Sequence, residues 1–153
     1  MNELELMEEI NKLDSLIKTG EFVSRDLKSE DWSILERWWK WWRWPLMPKS
    51  FLPENGTGGI MIEKDHVPIC AGFLYLTNSK VVILEWIISN PEYKEDDRKD
   101  ALKFLITEAE DLSKELDYEY MFSIGRHNTL IDMHKDLGWE VDKRASYEIT
   151  KKL

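Results

Sequence analysis

The sequence predicts a mixed α/β domain in which one sheet is covered by helices. Three observations lead there. Three apolar, strand-like runs lie between residues 60 and 89, separated by short turns. Residues 97–116 carry Ala101, Leu102, Leu105, Ile106, Ala109 and Leu112 on one helical face. The chain has 153 residues, 42% of them hydrophobic and 33% charged, which is one domain's worth of globular composition.

Each element has its own local signal. Residues 1–20 place Leu6, Ile10, Leu13 and Ile17 at heptad-like spacing among Glu and Lys, an amphipathic helix ended by Lys18, Thr19 and Gly20. It reads as an appendage that packs on its own domain or pairs with a second copy; so short a stripe favours self-packing. The domain proper is 21–153. Residues 21–27 alternate as a short strand. Ser29 and Asp31 offer N-cap oxygens to a second helix that runs to about Trp42 and is stopped by Pro45 and Pro48. After a loop through Pro53 and Gly56, residues 60–64 and 68–76 form a hairpin across Asp65, His66 and Val67. Residues 81–89 are long and β-branched, a central strand completing an antiparallel meander. Pro91 ends it, and the 97–116 helix follows. Residues 119–125 are strand-like, 129–137 form a short helix stopped by Gly138, and 146–150 alternate as a final strand.

Composition excludes several classes. Lys and Arg total 21 against 30 Asp and Glu, a net charge of -9 that argues against a nucleic-acid binder. No apolar run approaches the roughly 20 residues of a membrane span, and the N-terminus has no apolar signal core. With one cysteine, Cys70, there is no internal disulfide and no thiolate zinc cluster; its default is a buried thiol. These features place the protein in the cytoplasm. His127 and His134 are seven residues apart with no clear third ligand, so no metal is expected. The Gly58-Gly59 pair precedes a strand and reads as a turn, not a phosphate cradle.

The order helix, strand, helix, loop, three strands, helix, strand, helix, strand resembles the GNAT acetyltransferase superfamily over roughly residues 21–153. LEWIISNPEYKEDDRKDALKFL (84–105) and HNTLIDMHKDLGWEV (127–141) carry the resemblance. More narrowly, the WW…WP…FLP…GTGG…CAGFLYLTNSK…LEWIISNPEY pattern is similar to a branch often carried by bacteriophages, which would place the protein in the host cytoplasm. In the family, a strand ends in an apolar-x-Pro-x-Tyr signature and runs into a Gly-rich loop whose amides hold the coenzyme A pyrophosphate. Asn90, Pro91, Glu92 and Tyr93 match the start of that loop. The resemblance implies acetyl-CoA as the ligand. The backbone of Ile87, Ile88 and Ser89 would face the pantetheine arm, loop residues Lys94, Glu95, Asp96, Asp97, Arg98 and Lys99 the pyrophosphate, with Asn128 near the family's Asn position.

The family's glycine positions hold Glu95, Asp97 and Lys99 instead. Two like unit charges about 4 Å apart repel by about 4 kcal/mol at an effective dielectric of about 20, before salt screening. The loop therefore opposes a phosphate unless Lys94, Arg98 and Lys99 offset it. Acids at a helix N-terminus also stabilise the helix dipole, so the protein would fill its own anion site.

Acetyl transfer to an amine needs a base for the amine proton, an acid for the thiolate and donors for the oxyanion. Glu85, inside an apolar strand and by alternation sharing a face with Ile83 and Ile87, is the base candidate. Its alternative is a paired or solvent-facing carboxylate. His134, four residues before Gly138, falls where the family commonly has an acid Tyr; its alternative is a surface histidine. The stretch 37–49, RWWKWWRWPLMPK, has five Trp, four cations and no acid. Trp38, Trp42 and Trp41 would cover the sheet, and with Trp44 they would form a recognition surface for the acceptor or a protein partner. The leading reading is an acetyl-CoA-dependent N-acetyltransferase of unassigned small-molecule or protein amine acceptor. The alternative is an inactive GNAT-fold protein-binding module. A homodimer through the first helix is open, and no nucleic acid or membrane partner is expected.

Overall fold

The computed structural model describes residues 2–18, 20–45 and 47–153, with side chains left aside for residues 11–18. The expectations for Leu13, Ile17 and Thr19 fall outside that description. Strands β1 (Phe22–Asp26), β2 (Gly59–Lys64), β3 (Val67–Leu76), β4 (Val81–Ser89) and β5 (Tyr120–Phe122) build one sheet in the order β1-β2-β3-β4-β5. The first four pair antiparallel, and β5 runs parallel to β4. Helices α1 (Glu3–Lys18), α2 (Trp32–Trp41), α3 (Arg98–Glu115) and α4 (Asn128–Asp136) complete the chain. No helix among the described residues is long and apolar enough to cross a membrane.

Two cores flank the sheet, as expected for strands that carry apolar residues on both faces. On one side Ala101, Leu105, Ile106 and Ala109 of α3 and Met133 of α4 pack on Ile60, Ile62, Ile69, Cys70, Leu74, Val82 and Leu84. On the other, Leu35, Trp38 and Trp39 of α2 pack with Leu27, Met47 and Leu52 on Met61, Ala71, Phe73 and Ile88. The helical spacing i, i+3, i+4, i+7 puts Leu35, Trp38, Trp39 and Trp42 on one face. This corrects the expected sheet cover: Trp39 is fully buried and stacks on Phe73 at 6.3 Å, whereas Trp41 is 60% exposed. Cys70 is fully buried, and burial pushes its thiol well above the usual range.

Local chemistry explains the connections. Asp65 and His66 both have positive φ, 51° and 65°, forming a two-residue hairpin turn, with Val67 already in β3. Gly20 (φ 87°) follows α1 in the left-handed region. Gly59 opens β2 where its backbone lies against Gly72 of β3, leaving no room for a side chain. Asp31 does not cap α2. Its carboxylate instead accepts the Lys28 N–H and both Arg25 Nη atoms, each at 2.8 Å, and Arg25 Nε reaches Glu63 at 2.6 Å. That grip holds Asp31 below the ordinary carboxylate range.

Three further expectations are corrected. α1 does not pack on its own domain over residues 2–10, all of which are exposed. Residues 146–150 form no strand. Tyr147 and Ile149 are 89% and 93% exposed, and although Glu148 reaches Arg126, no backbone hydrogen bond joins the segment to the free edge of β5. Alternation alone gives a segment two faces but no partner. Finally, β4 carries a bulge at Trp86 (φ 57°), where pairing steps from Phe73↔Glu85 to Ala71↔Ile88. The extra residue sends Ile87 to the α3 side, beside Leu84, while Trp86 joins the α2 cluster. Ile87 therefore does not share a face with Glu85.

Candidate functional site

β4 pairs with β5 only from Val81 to Ile83; beyond that the two strands part. Residues 84–89 thus present a backbone edge with no strand beside it on that flank. A groove of about 370 Å³ opens there. Ile87, Ile88 and Ser89 form its β4 wall, and Thr129, Leu130 and Met133 of α4 stand opposite with His127. Arg98, Lys99 and Leu102 at the start of α3 close one end, and Trp42 and Trp44 one side.

Ser89 is the junction. Its carbonyl accepts the Trp42 indole N–H at 2.8 Å, and its hydroxyl accepts Arg98 Nη2 at 2.8 Å. The Arg98 guanidinium lies 5.5 Å from the centre of the Trp42 ring. Trp42 and Arg98 are thereby oriented against the groove by each other and by β4.

The acidic loop before α3 is arranged differently from the expectation. No side chain caps the N-terminus of α3. Asp97 instead accepts Lys64 Nζ at 2.5 Å and the Tyr93 hydroxyl at 2.6 Å. Lys64 draws the Asp97 carboxyl below its usual range, and Asp97 raises the Lys64 ammonium in return. Burial and then Asp97 push the Tyr93 phenol up. Glu95, Asp96 and Asp97 line a separate concavity with Lys64, Asp65, Val67 and Tyr93, toward the β2–β3 turn. The loop's charges are thus sorted: Arg98 and Lys99 face the groove and the three acids face away. Self-filling of the anion site by carboxylates is therefore corrected. Lys94 is exposed and lines neither cavity, and Asn128 begins α4 behind His127, its N-cap residue.

Glu85 is 6% exposed and fully engaged. Oε1 accepts the Ile124 N–H at 2.8 Å, and Oε2 accepts Arg126 Nη2 at 2.9 Å. Arg126 also contacts Glu148 and lies 4.4 Å from the Trp86 ring centre. Burial would lower the Arg126 guanidinium, but Glu148 and Glu85 together raise it. His134 is 5% exposed on the Trp139 side of α4, its ring edge-on to that indole at 4.7 Å. Its Nδ1 lies 2.8 Å from the Leu130 carbonyl, and its Nε2 is buried without a partner. Neither Glu85 nor His134 lines the groove.

The structure thus brings Ile87, Ile88, Ser89, Arg98, Lys99, Trp42 and Trp44 together, sets Glu95, Asp96 and Asp97 apart, and leaves Trp38 in the core. Sequence reasoning missed Arg126 and Lys64, and named Tyr93 only as the entry to the loop. A carboxylate inside an apolar strand demands a cation, and Arg126, just after the parallel neighbour strand, was the available one.

Solved structures show where this fold recurs. The aminoglycoside N-acetyltransferase AAC(6')-Iy, in complex with a bisubstrate analogue built on CoA, matches at 20% identity, 86% of this chain and 99% of that one, TM-score 0.58. A ribosomal-protein alanine N-acetyltransferase from Escherichia coli matches at 13% identity, 77% of each chain, TM-score 0.62. N-acetylglutamate synthase from Neisseria gonorrhoeae, with coenzyme A and N-acetyl-glutamate, matches at 11% identity, 76% of this chain and 28% of that one, TM-score 0.61. No family model matches the chain, and no curated protein matches it in sequence. At these identities the likeness establishes the fold: this chain has the fold of the GNAT N-acetyltransferases.

Proposed function

We propose that this chain is an N-acetyltransferase that binds acetyl-CoA in the groove between β4 and α4. One observation carries the reading. The unpaired edge of β4 opens onto an α3 N-terminus that no side chain caps, with Arg98 and Lys99 toward the groove and the loop's acids turned away. The residues present fit the ligand. A helix N-terminus with two cations suits a pyrophosphate, and an open strand edge suits an extended amide chain.

Ile87, Ile88 and Ser89 would hold the pantetheine arm through their backbone. Arg98 and Lys99 would hold the phosphates with the amides of residues 94–99, Lys94 and Asn128 standing at the margins. Acetyl-CoA, when bound, supplies an activated acyl thioester. Glu85 is the proposed base for the amine proton, with Arg126 and the Ile124 N–H positioning its oxygens. His134 is the proposed acid; its Nδ1–H donates to the Leu130 carbonyl, so Nε2, which has no partner, would give up a proton only from the doubly protonated ring. Both act on the groove only after local movement, since Ile87 and Leu130 stand at its walls instead. Trp42 and Trp44 would face the acceptor amine, with Trp41 outside them.

A protein-binding module that has lost the coenzyme is the weaker reading, because the groove remains open beside Trp42. Calorimetric titration with acetyl-CoA and with coenzyme A tests the choice. Micromolar binding that weakens with salt, and weakens further in Arg98→Gln, is expected. No heat at millimolar ligand would overturn the acetyltransferase reading.

A further inference from the structure

We propose that this protein forms a twofold dimer by exchanging α1, the helix of each copy lying on the outer face of α2 in the other. Two surfaces that have no partner among the described residues carry this inference, and it goes beyond the acetyltransfer reading.

The first surface is α1. Residues 2–10 are all exposed, with Leu4 and Met7 at 67% and 59% and Leu6 and Ile10 both at 49%. At about 100° per residue, Leu6, Ile10, Met7 and Leu4 share one broad stripe that Glu3 interrupts and Glu8 and Glu9 flank, while Glu5 lies opposite. Residues 2–10 hold four acids and no cation. Residues 2–10, left in water, lack the burial that stabilises amphipathic helices.

The second surface is the outer face of α2 and the turn after it. Trp41 is 60% exposed, and Arg37, Lys40 and Arg43 are exposed around it. A concavity of about 490 Å³ lies there, walled by Trp39 and Trp44 and rimmed by Ser33, Glu36, Arg37 and Lys40. Residues 37–49 hold four cations and no acid, in a chain whose net charge is -9.

The two surfaces complement each other in charge and in character: an apolar stripe edged by carboxylates, and an aromatic hollow edged by cations. Two copies of an acidic chain repel except where such opposite patches meet. The complement is present at equal concentration in every copy, which favours a second copy over an unrelated partner. Reciprocal exchange closes as a twofold pair, so no patch is left to propagate. Trp44 lines both the α2 hollow and the β4–α4 groove, so the partner's α1 would lie beside the acceptor side of the proposed site.

Sedimentation equilibrium of the full chain tests this. The wild-type chain is expected to be a dimer that weakens as salt rises. A chain carrying Glu3→Lys, Glu8→Lys and Glu9→Lys, and another carrying Arg37→Glu, Lys40→Glu and Arg43→Glu, should each dimerise more weakly, by about tenfold or more. Mixed, the two should recover a one-to-one heterodimer, because one contact then pairs two reversed patches and the other two natural ones. Leu6→Ser with Ile10→Ser, which leaves every charge in place, should also yield monomers. A monomeric wild-type chain at submillimolar concentration would overturn the proposal. So would failure of the mixed variants to associate while both keep wild-type circular dichroism, the result expected if α1 docks on its own copy.

Discussion

Replacing Arg126 with Met probes a largely buried ion pair of the candidate site. Arg126 Nη2 holds Glu85 Oε2 at 2.9 Å, and the Glu85 side chain is only 7% exposed. Removing one partner of a buried pair costs about 3–5 kcal/mol, because the other charge stays buried and unpaired. Two features lower that figure. The Arg126 side chain is 26% exposed, and Glu85 keeps the Ile124 N–H at 2.8 Å. Losing the guanidinium over Trp86 adds about 0.5–1 kcal/mol at such a part-exposed site. The expected loss is about 3 kcal/mol, which for a chain of this size lowers the melting temperature by about 6–12 °C. The control is Glu85→Gln, which keeps an acceptor for Ile124 but no charge. In the double variant the unpaired carboxylate is gone, so about 1–2 kcal/mol should return. Urea denaturation of the four chains gives the cycle. A cost below 1 kcal/mol for Arg126→Met, or no coupling with Glu85→Gln, would refute a buried, cation-dependent carboxylate on β4. Arg126 also adjoins His127 in the groove wall, so the same variant should weaken coenzyme A binding.

Two other outcomes follow from the charge network. Lys64→Met should weaken coenzyme A binding about three- to tenfold at low salt, although Lys64 lines no part of the groove, because it releases the Asp97 carboxylate at the α3 N-terminus; Lys64→Met with Asp97→Asn should restore it, and titration calorimetry reads both. Arg25 holds Asp31 below its ordinary value of 3.8, so this carboxylate stabilises the fold fully above that value and the contribution is lost as pH falls through the lowered one; Asp31→Asn should cost about 2 kcal/mol at neutral pH and flatten the acid side of a stability–pH curve.

The meander and α3 were legible because their signals are local. Apolar runs bounded by Asp-His and Thr-Asn-Ser-Lys turns specify strands, and a stripe from Ala101 to Ala109 specifies a helix. What could not be read depended on partners distant in sequence. Nothing about Trp86 announces a left-handed residue, yet its bulge moves Ile87 off the Glu85 face. Tyr147 and Ile149 alternate like strand residues but do not pair with the free edge of β5. Asp31 looks like a cap for α2 until Arg25, six residues earlier, claims it. Trp39 and not Trp41 fills the core, a distinction set by the helix phase relative to the sheet.

The glycine-free loop shows how such long-range partners change a functional reading. Read as a string, residues 94–100 net one negative charge and should repel a phosphate. Folded, the charges are not averaged. Tyr93 and Lys64 draw Asp97 toward the β2–β3 turn, and Lys64 comes from a strand 33 positions earlier. Ser89 and Trp42 draw Arg98 the other way, onto the groove. A helix N-terminus is then left with cations in front and carboxylates behind, the polarity an anion site requires. The family's glycines admit a phosphate by removing side chains. Here the side chains remain and are turned aside, so the ligand's affinity should depend on residues that never touch it.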